Sequence, residues 1–500
     1  MGEKHFRMPR LRLFDDSGMT ADLRKSLYWV IWGVTVGMLG TVVTTGAVWS
    51  GFQREVLGAN DFQLGLIAAI PVAMNVSQLF ISYSMERRRN RKFLFLFYGI
   101  VGRILWVPIG LFPVLFPGLA GDARIWAVIL LVTLVAGGNS FVNIAFGSLM
   151  GDLVPIQIRG RYFASRQRVY LFVGVLSGLL VAYMVDSLGV KGYSLVLALG
   201  GISITLDIVC FFFIHWPEMG EADTSADRTP FFRMLLEVFR NKRFVRIVLF
   251  YTCFFFAVNV AAPFYNVYMI ESLKMSFTQI TLYTQIISNV MTVLVVTRWG
   301  RMMDRYGCKP MLRLSCVVCC VSVLPWAFAT PETAYCVLLS NVMSGVFWPG
   351  LDLCQQNLYL GQSPRLHRSM YVAVYFAVVN LFGVALANAV GGYLMQDVFV
   401  NWAQGGVVLL GMPINNNSQW MFLATSMLRI VATVCFLPLI KEDGAWTLRD
   451  TLRDVWRENR QRLSQRRAVI QVYHERKRAR KAWEALEQAK QTGEEHSNEK

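Results

Sequence analysis

The chain has 500 residues, of which 55% are hydrophobic and only 16% are charged. A soluble fold of this composition would expose far too much apolar surface, so these values exclude a soluble globular protein and predict a membrane protein. The formal net charge of +17 does not indicate nucleic acid as a partner, because the basic residues lie in alternate loops and in the tail. Residues 1–25 are polar and basic, so we expect a cytoplasmic N-terminal segment without a cleavable signal peptide.

Twelve apolar runs follow, each of about the twenty residues that a helix needs to cross a bilayer. Their predicted boundaries are 26–50, 62–84, 93–115, 125–149, 167–187, 194–216, 245–270, 278–299, 311–329, 334–358, 370–395 and 419–440.

The orientation of these spans follows from the basic residues between them. Lys and Arg are concentrated before span one and after the even-numbered spans. The remaining loops carry only Arg54, Arg124, Lys191 and Lys274. Because positively charged loops stay in the cytoplasm, both termini are predicted to be cytoplasmic.

The second half of the chain repeats the first. The clearest matches between the halves are Glu55 with Glu271, Gln63 with Gln279, Glu86 with Asp304, Pro108 with Pro325, and Arg159 with Arg368. Six spans repeated in parallel order predict an all-α membrane fold of two pseudo-symmetric six-helix bundles. The expected bundles are 26–216 and 245–440, joined by a cytoplasmic linker at 217–244 that contains a short amphipathic piece.

The segment 441–500 differs from the rest of the chain. It is rich in Lys and Arg, and apolar residues from Leu448 to Ile470 follow one stripe. This pattern favours a basic, partly helical, amphipathic tail on the cytoplasmic side. Contact with anionic lipid headgroups of the inner leaflet explains it, and we expect no nucleic-acid partner.

Three short stretches carry a family resemblance. The stretch 300–310 reads GRMMDRYGCKP and is predicted to form a charged hairpin between spans eight and nine. A degraded copy, SYSMERRRNRK, occupies 82–92, and 151–162 reads GDLVPIQIRGRY. These stretches resemble the cytoplasmic loop motifs of the major facilitator superfamily, in its bacterial, twelve-helix form. The resemblance covers residues 20–440 and is silent on the substrate.

This resemblance implies a cytoplasmic gate that keeps the inner side shut while the outer side is open. By position, Asp304 would engage Arg161 or Arg166 at the start of span five, and Glu86 would engage Arg368 at the start of span eleven. The alternative is that these residues are only positive-inside charges with neutralising acids. The expected gate residues are Glu86, Arg87, Asp152, Arg159, Arg161, Gly300, Asp304, Arg305, Gly307 and Arg368.

The resemblance also implies a substrate cavity lined by spans one, four, seven and ten. On span one, Thr41, Thr45 and Trp49 are four residues apart and would share one helix face. The other candidates are Asn139 and Asn143 on span four, Asn259 and Asn266 on span seven, and Trp348, Asp352 and Gln355 on span ten.

Polar residues on two further spans suit helix packing better than a site. Asn75 and Gln78 on span two, and Gln285 and Asn289 on span eight, fall at helical spacing and would face the seam between the halves. Hydrogen bonding between helices is the simpler interpretation of such amides.

Four ionisable residues lie inside apolar spans: Arg103, Asp207, Asp352 and Arg429. A charge in hydrocarbon needs a partner or a function. Arg103 and Asp207 lie at similar depths and are expected to form a buried structural ion pair. Asp352 has two interpretations, since it could pair with Arg429, or it could face the cavity and couple transport to protons.

We therefore expect a secondary transporter that moves a small solute by alternating access and is driven by a proton gradient. It would be a monomer in the bacterial inner membrane. We expect no enzyme activity, no cofactor and no metal site, because the sequence lacks motifs for them. The alternatives are a membrane receptor or scaffold that keeps the fold without moving solute, or a lipid or drug efflux protein.

Overall fold

The structure is a computed structural model that describes residues 19–78, 81, 91–119, 121–155, 158–217, 231–363, 368–404, 407–409, 412–414, 416–442, 446–451, 453–454, 456–457, 460 and 477. Eleven helices among these residues are long and apolar enough to cross a membrane, and one shorter apolar helix follows the first. We number them α1 (Ala21–Thr45), α2 (Asp61–Ser77), α3 (Arg91–Gly110), α4 (Asp122–Leu153), α5 (Arg161–Leu188), α6 (Val190–Phe213), α7 (Lys242–Glu271), α8 (Phe277–Tyr306), α9 (Cys308–Ala327), α10 (Tyr335–Gly361), α11 (Met370–Ala403) and α12 (Asn417–Leu439).

The helices follow the predicted spans in order, but the hairpin predicted at 300–310 is wrong. Helix α8 continues to Tyr306 and α9 begins at Cys308, so Gly300 and Asp304 lie on a helix. The turn is reduced to Gly307, whose φ of 89° is a backbone conformation that favours glycine. The charged residues before this turn extend the helix beyond its apolar part.

The internal repeat is visible in local structure as well as in sequence. Helix α2 begins with a capping box formed by Asn60 and Gln63, and α8 begins with the same arrangement of Ser276 and Gln279. The turns that precede these two caps also make equivalent backbone hydrogen bonds. Corresponding segments of the two halves therefore fold alike.

The helices pack as two bundles with the same internal contacts. In the first half α1 packs on α5 and α6, and α3 packs on α4 and α6. In the second half α7 packs on α11 and α12, and α9 packs on α10 and α12. The halves meet along two seams, α2 with α11 and α5 with α8.

The buried apolar core is divided along the membrane normal. One cluster joins both halves and includes Val43 from α1 and Phe277 from α8. The other two clusters each belong to one half, with Tyr162 in the first and Tyr251 in the second. These two lie toward the face where α1 begins, which we call the terminal face, and the shared cluster lies toward the opposite, distal face. The bundles are thus packed together distally and have separate cores near the terminal face.

Two small elements lie outside the bundles. A linker helix, Phe231–Arg240, precedes α7. A β-hairpin between α11 and α12 pairs β1 (Val407–Leu409) with β2 (Met412–Ile414) in antiparallel register, with Val407 opposite Ile414. The linker helix agrees with the amphipathic piece predicted within 217–244, whereas no strand is predicted from the sequence.

Candidate functional site

Ionic contacts join the two bundles at the distal face. Arg54, which follows α1, donates from Nε to Glu271 at the end of α7 over 2.7 Å. Its NH1 atom lies 3.1 Å from Asp61 at the start of α2. Partial burial opposes the charge of Arg54, but these two carboxylates outweigh that cost and raise the pKa of its guanidinium.

A carboxylate from the first bundle also caps a helix of the second. Asp186, near the end of α5, accepts hydrogen bonds from the backbone N–H groups of Phe277 and Thr278 at 2.8 and 3.0 Å. The Thr278 hydroxyl donates to the same side chain over 2.7 Å. Because the start of a helix presents unpaired N–H groups and partial positive charge, Asp186 fastens α5 to α8 across the seam.

The other seam is closed at the same level. A Cβ atom added to Gly65 on α2 would lie 2.4 Å from the carbonyl oxygen of Asn388 on α11, so the two backbones are in close contact. The Asn388 amide donates to the Ala68 carbonyl over 3.3 Å, and the Phe62 N–H donates to Gln396 over 3.2 Å. Both seams are therefore closed on the distal side.

The contact expected for Asp304 at the terminal face is not formed among the described residues. Asp304 is exposed and has no hydrogen bond or ion pair among the described residues, so the expected pairing with Arg161 or Arg166 is not formed in this conformation. The Arg166 guanidinium instead lies 4.9 Å from the centre of the Phe146 ring. Arg161 is exposed.

Two other gate candidates have partners in their own half. Asp152 accepts from Arg91 over 2.5 Å, and Arg91 also donates to Ser148 at 2.8 Å. Arg305 donates to Asp454 of the tail over 2.7 Å.

Four further gate candidates are not described at all or are described only at the backbone. Glu86 and Arg87 lie outside the described residues. Arg159 and Arg368 each stand at the start of a helix, Arg159–Leu188 and Arg368–Val378, and only their backbones are described.

A cavity of about 170 Å³, lined by both polar and apolar side chains, lies between α1, α5 and α8. We call it the seam cavity. Thr41 and Thr45, both predicted, line it together with Tyr170, Gln285 and Asn289. Helix α8 forms one π-helical segment here, Leu282–Ile286, which includes Gln285. Such wide turns inside an α-helix are frequent at functional sites.

Trp49 does not share the face of Thr41 and Thr45, so this part of the prediction is wrong. Helix α1 ends at Thr45, and Gly46 has an extended backbone with φ −101° and ψ −168°. The chain resumes as the short helix Ala47–Gly51. Trp49 packs inside the first bundle, with its ring centre 4.9 Å from that of Trp106.

The candidates on the other cavity helices are dispersed. On α4, Asn139 is half-buried and Asn143 is exposed. On α7, Asn259 donates to the Phe255 carbonyl of its own helix over 2.8 Å. Asn266 donates to Ser50 of the first half over 3.4 Å and so belongs to the distal closure.

The predicted residues of α10 are half-buried: Trp348, Asp352 and Gln355. No hydrogen bond or ion pair joins the Asp352 carboxylate to any described residue. Its helix carries an internal proline, Pro349, less than one turn earlier.

The intramembrane charges behave differently in the two halves. Arg103 on α3 forms an ion pair with Asp207 on α6 and donates to the Ile204 carbonyl over 3.1 Å. The pair Asp352–Arg429 is not formed. Arg429 on α12 instead donates to the Cys319 carbonyl over 2.9 Å.

Sequence reasoning missed the position of Tyr170 and undervalued Gln285 and Asn289. The four-residue spacing of Gln285 and Asn289 was the available signal, because it places both amides on one face of α8. The π-helical segment has no recognisable sequence signal. In the described part of the chain, no group of three or more His, Cys, Asp or Glu side chains could hold a metal ion.

The comparison with family profiles identifies the family. The sequence profile described as Major Facilitator Superfamily matches residues 30–359 and 247–486. No curated protein matches the sequence.

Solved structures of several transporters share the fold. A bacterial homolog of the human lysosomal transporter Spinster, in an inward-facing and unoccupied conformation, is 16% identical with a TM-score of 0.64, covering 85% of this chain and 98% of that one. The nucleoside transporter NupG is 13% identical with a TM-score of 0.62, covering 85% and 100%. A D-xylose–proton symporter is 15% identical with a TM-score of 0.60, covering 86% and 100%. These structures share the fold, and because the superfamily profile matches most of the sequence, the chain belongs to the major facilitator superfamily and is a multi-pass membrane transporter.

Proposed function

We propose that this transporter carries a small solute by proton-coupled alternating access, and that the structure is its inward-facing conformation. The position of the contacts between the bundles supports this proposal. Hydrogen bonds and close backbone contacts join the halves distally, whereas the apolar cores near the terminal face are separate. A cavity lined partly by polar side chains at the seam favours transport over a scaffold, whose bundle interface would be wholly apolar.

The orientation in the membrane is part of this proposal. Basic residues cluster on the terminal side, where Arg91, Arg305 and Lys309 lie. By the positive-inside rule this side is cytoplasmic, in a bacterial inner membrane. The basic tail would then contact anionic headgroups of the inner leaflet, and the protein would act as a monomer.

Asp352 is the proposed coupling residue. Its carboxyl group lies within a membrane helix, and no described residue supplies a counter-charge or a hydrogen bond. An isolated charge at the centre of a helix costs about 2.5–3.5 kcal/mol on insertion scales. Binding a proton removes that cost when the site is dry, and contact with water restores the charge, so this group can exchange protons with each side in turn.

The test is uptake into proteoliposomes of a panel of radiolabelled solutes, with and without an inward proton gradient. Wild-type protein should accumulate at least one solute when the gradient is present. Asp352→Asn should lose this accumulation but retain gradient-independent exchange of the same solute, because the cavity is intact. Asp397→Asn, at an exposed acid on α11, should behave as wild type.

Two outcomes would contradict the proposal. If Asp352→Asn still accumulated solute against its gradient, Asp352 would have a structural role. If the wild-type protein moved no member of the panel under either condition, the transport assignment itself would fail in favour of a receptor or scaffold.

A further inference from the structure

We propose that the seam cavity binds an uncharged solute that carries several hydroxyl groups. This inference rests on the proposed transport function and specifies its substrate class. The cavity is lined by side chains of both halves, with Thr41, Thr45 and Tyr170 from the first and Gln285 and Asn289 from the second. A bound solute would therefore contact both bundles.

The two amides of α8 are available to a ligand. Neither Gln285 nor Asn289 has a hydrogen-bond partner among the described residues, and each side chain offers two N–H donors and one carbonyl acceptor. Gln285 lies close to two glycines, and the approach to Gly178 is closer than an ordinary side-chain contact would allow. A Cβ atom on Gly178 of α5 would lie 3.2 Å from its Oε1 atom, and one on Gly46 would lie 3.7 Å from its Nε2 atom.

The hydroxyls of α1 complement these amides. Thr41 donates its proton to the Gly37 carbonyl over 3.1 Å, and Thr45 donates to the Thr41 carbonyl over 2.7 Å. With their protons engaged, both threonine oxygens present lone pairs to the cavity and act as acceptors. A ligand hydroxyl both donates and accepts, so it can satisfy a threonine oxygen and an amide N–H at once.

The charge of the lining excludes an ionic ligand. None of the residues that line the cavity carries a charge at neutral pH. Two cations lie within one turn before Tyr170 on α5, and neither lines the cavity. Arg168 is exposed and donates to Ser165 over 3.0 Å. The Arg166 guanidinium lies over the Phe146 ring. Asp207 is engaged by Arg103. A charged solute would lose its hydration in the cavity without meeting an opposite charge, which is costly.

The volume limits the ligand to a small molecule. The volume of the cavity is about 170 Å³. This space suits a compact ring or chain bearing hydroxyl groups, or one such portion of a larger solute that extends toward the open terminal side.

The test uses ligand-induced thermal stabilisation of the purified full chain in detergent, since a ligand of the folded state raises its melting temperature. The uncharged probes are D-xylose, myo-inositol and uridine, and the charged probes are glutamate, lysine and succinate. We expect at least one uncharged probe, and no charged probe, to raise the melting temperature of the wild-type protein.

Variants then locate the site. Gln285→Leu and Asn289→Leu should weaken binding of the active probe at least tenfold. Gln285→Glu, which keeps the shape but removes the donors, should do the same and provides a polar variant if the leucine variants fail to fold. Asn401→Leu is the matched control, because this exposed amide on α11 bonds to the Asp397 carbonyl of its own helix over 2.9 Å.

Several results would overturn the inference: stabilisation by a charged probe, no stabilisation by any uncharged probe, or an affinity unchanged in the Gln285 and Asn289 variants. Because binding in detergent needs neither a gradient nor transport, it separates the two proposals. A protein that bound an uncharged probe but moved no solute would disprove the transport mechanism and leave the site in place.

Discussion

At the scale of single residues, the first bundle contains a largely buried ion pair between Arg103 and Asp207, which needs space and close partners inside the membrane part of the fold. Both side chains are only 18% exposed, and the acid is enclosed by α1. A Cβ atom added to Gly33 or Gly37 would lie 2.6 or 2.8 Å from Asp207 atoms. These glycines therefore provide the space that the carboxylate occupies, and the pair joins α3, α6 and α1.

Removing one partner of this pair should destabilise the protein more than removing both. Arg103→Leu leaves a buried carboxylate without its counter-charge, which typically costs about 3–5 kcal/mol. The double variant Arg103→Leu/Asp207→Leu removes both charges and should recover most of that loss. Thermal unfolding of the purified variants measures the difference. A double variant no more stable than Arg103→Leu would show that the pair contributes through packing alone.

Sequence alone predicts this pair because depth along two helices can be counted from the number of residues. The same counting suggests Asp352 with Arg429, and there it is wrong. Depth fixes the height of a side chain, but the direction around the helix depends on packing, and Arg429 is directed toward the Cys319 carbonyl. Trp49 is misplaced for a related reason, since its predicted face assumes that α1 continues through Trp49, whereas the helix ends at Thr45.

At the scale of secondary-structure elements, the start of the tail is fastened to the turn between α8 and α9. Glu442 accepts from the backbone N–H groups of Cys308 and Lys309 at 2.9 and 2.6 Å and so caps α9. Asp454 accepts from Arg305 and from the Tyr306 hydroxyl at 2.7 and 2.8 Å. The tail therefore holds the turn that follows Asp304.

Replacing Glu442 by alanine should loosen this attachment without unfolding the bundles. Loss of a side-chain cap costs about 1 kcal/mol, which is small beside the stability of the whole fold. We expect faster amide hydrogen exchange at the start of α9 and at Trp446. The backbone N–H of Trp446 donates to the Tyr306 carbonyl over 3.1 Å. Glu237→Ala, an exposed acid of the linker helix, should leave both segments unchanged, and equal exchange in the two variants would contradict the cap.

Helix number and order follow from apolar run lengths, but the ends of the helices do not. Charged residues end a predicted span even where the helix continues, so α8 is extended to Tyr306 beyond its apolar part. The π-helical segments of α8 and α11, Leu282–Ile286 and Val379–Ala385, depend on how neighbouring helices pack. For this reason the sequence indicates the individual amides Gln285 and Asn289, whereas the seam cavity that they line is visible only in the structure.

At the scale of the whole molecule, the repeat in the sequence predicts two bundles but not which side of their interface is closed. In alternating access the same helices form both the inward-open and the outward-open conformation. The lengths of the apolar runs and the motifs are therefore the same for both conformations and cannot tell them apart. The deciding contacts are few and lie between residues far apart in the chain, such as Arg54 with Glu271 and Asp186 with the start of α8. Their pairing depends on the conformation adopted.

The cap formed by Asp186 should bias this equilibrium toward distal closure. Asp186→Ala removes three hydrogen bonds between the bundles and leaves each bundle's own contacts intact. A loss of about 1 kcal/mol would change the ratio of the two conformations about fivefold. We expect faster amide exchange along α2 and α11 near Gly65 and Asn388, which do not touch Asp186 and become accessible only if the distal side opens.

The matched control is Glu332→Ala, an exposed acid in the distal loop between α9 and α10 that forms no hydrogen bond or ion pair with the other half among the described residues. It should exchange as wild type does. If Asp186→Ala accelerated exchange only at Phe277 and Thr278, the carboxylate would be a local helix cap. Faster exchange on the distal side together with slower exchange at the terminal ends of α4 and α10 would instead identify it as a latch, because closing one face accompanies opening the other.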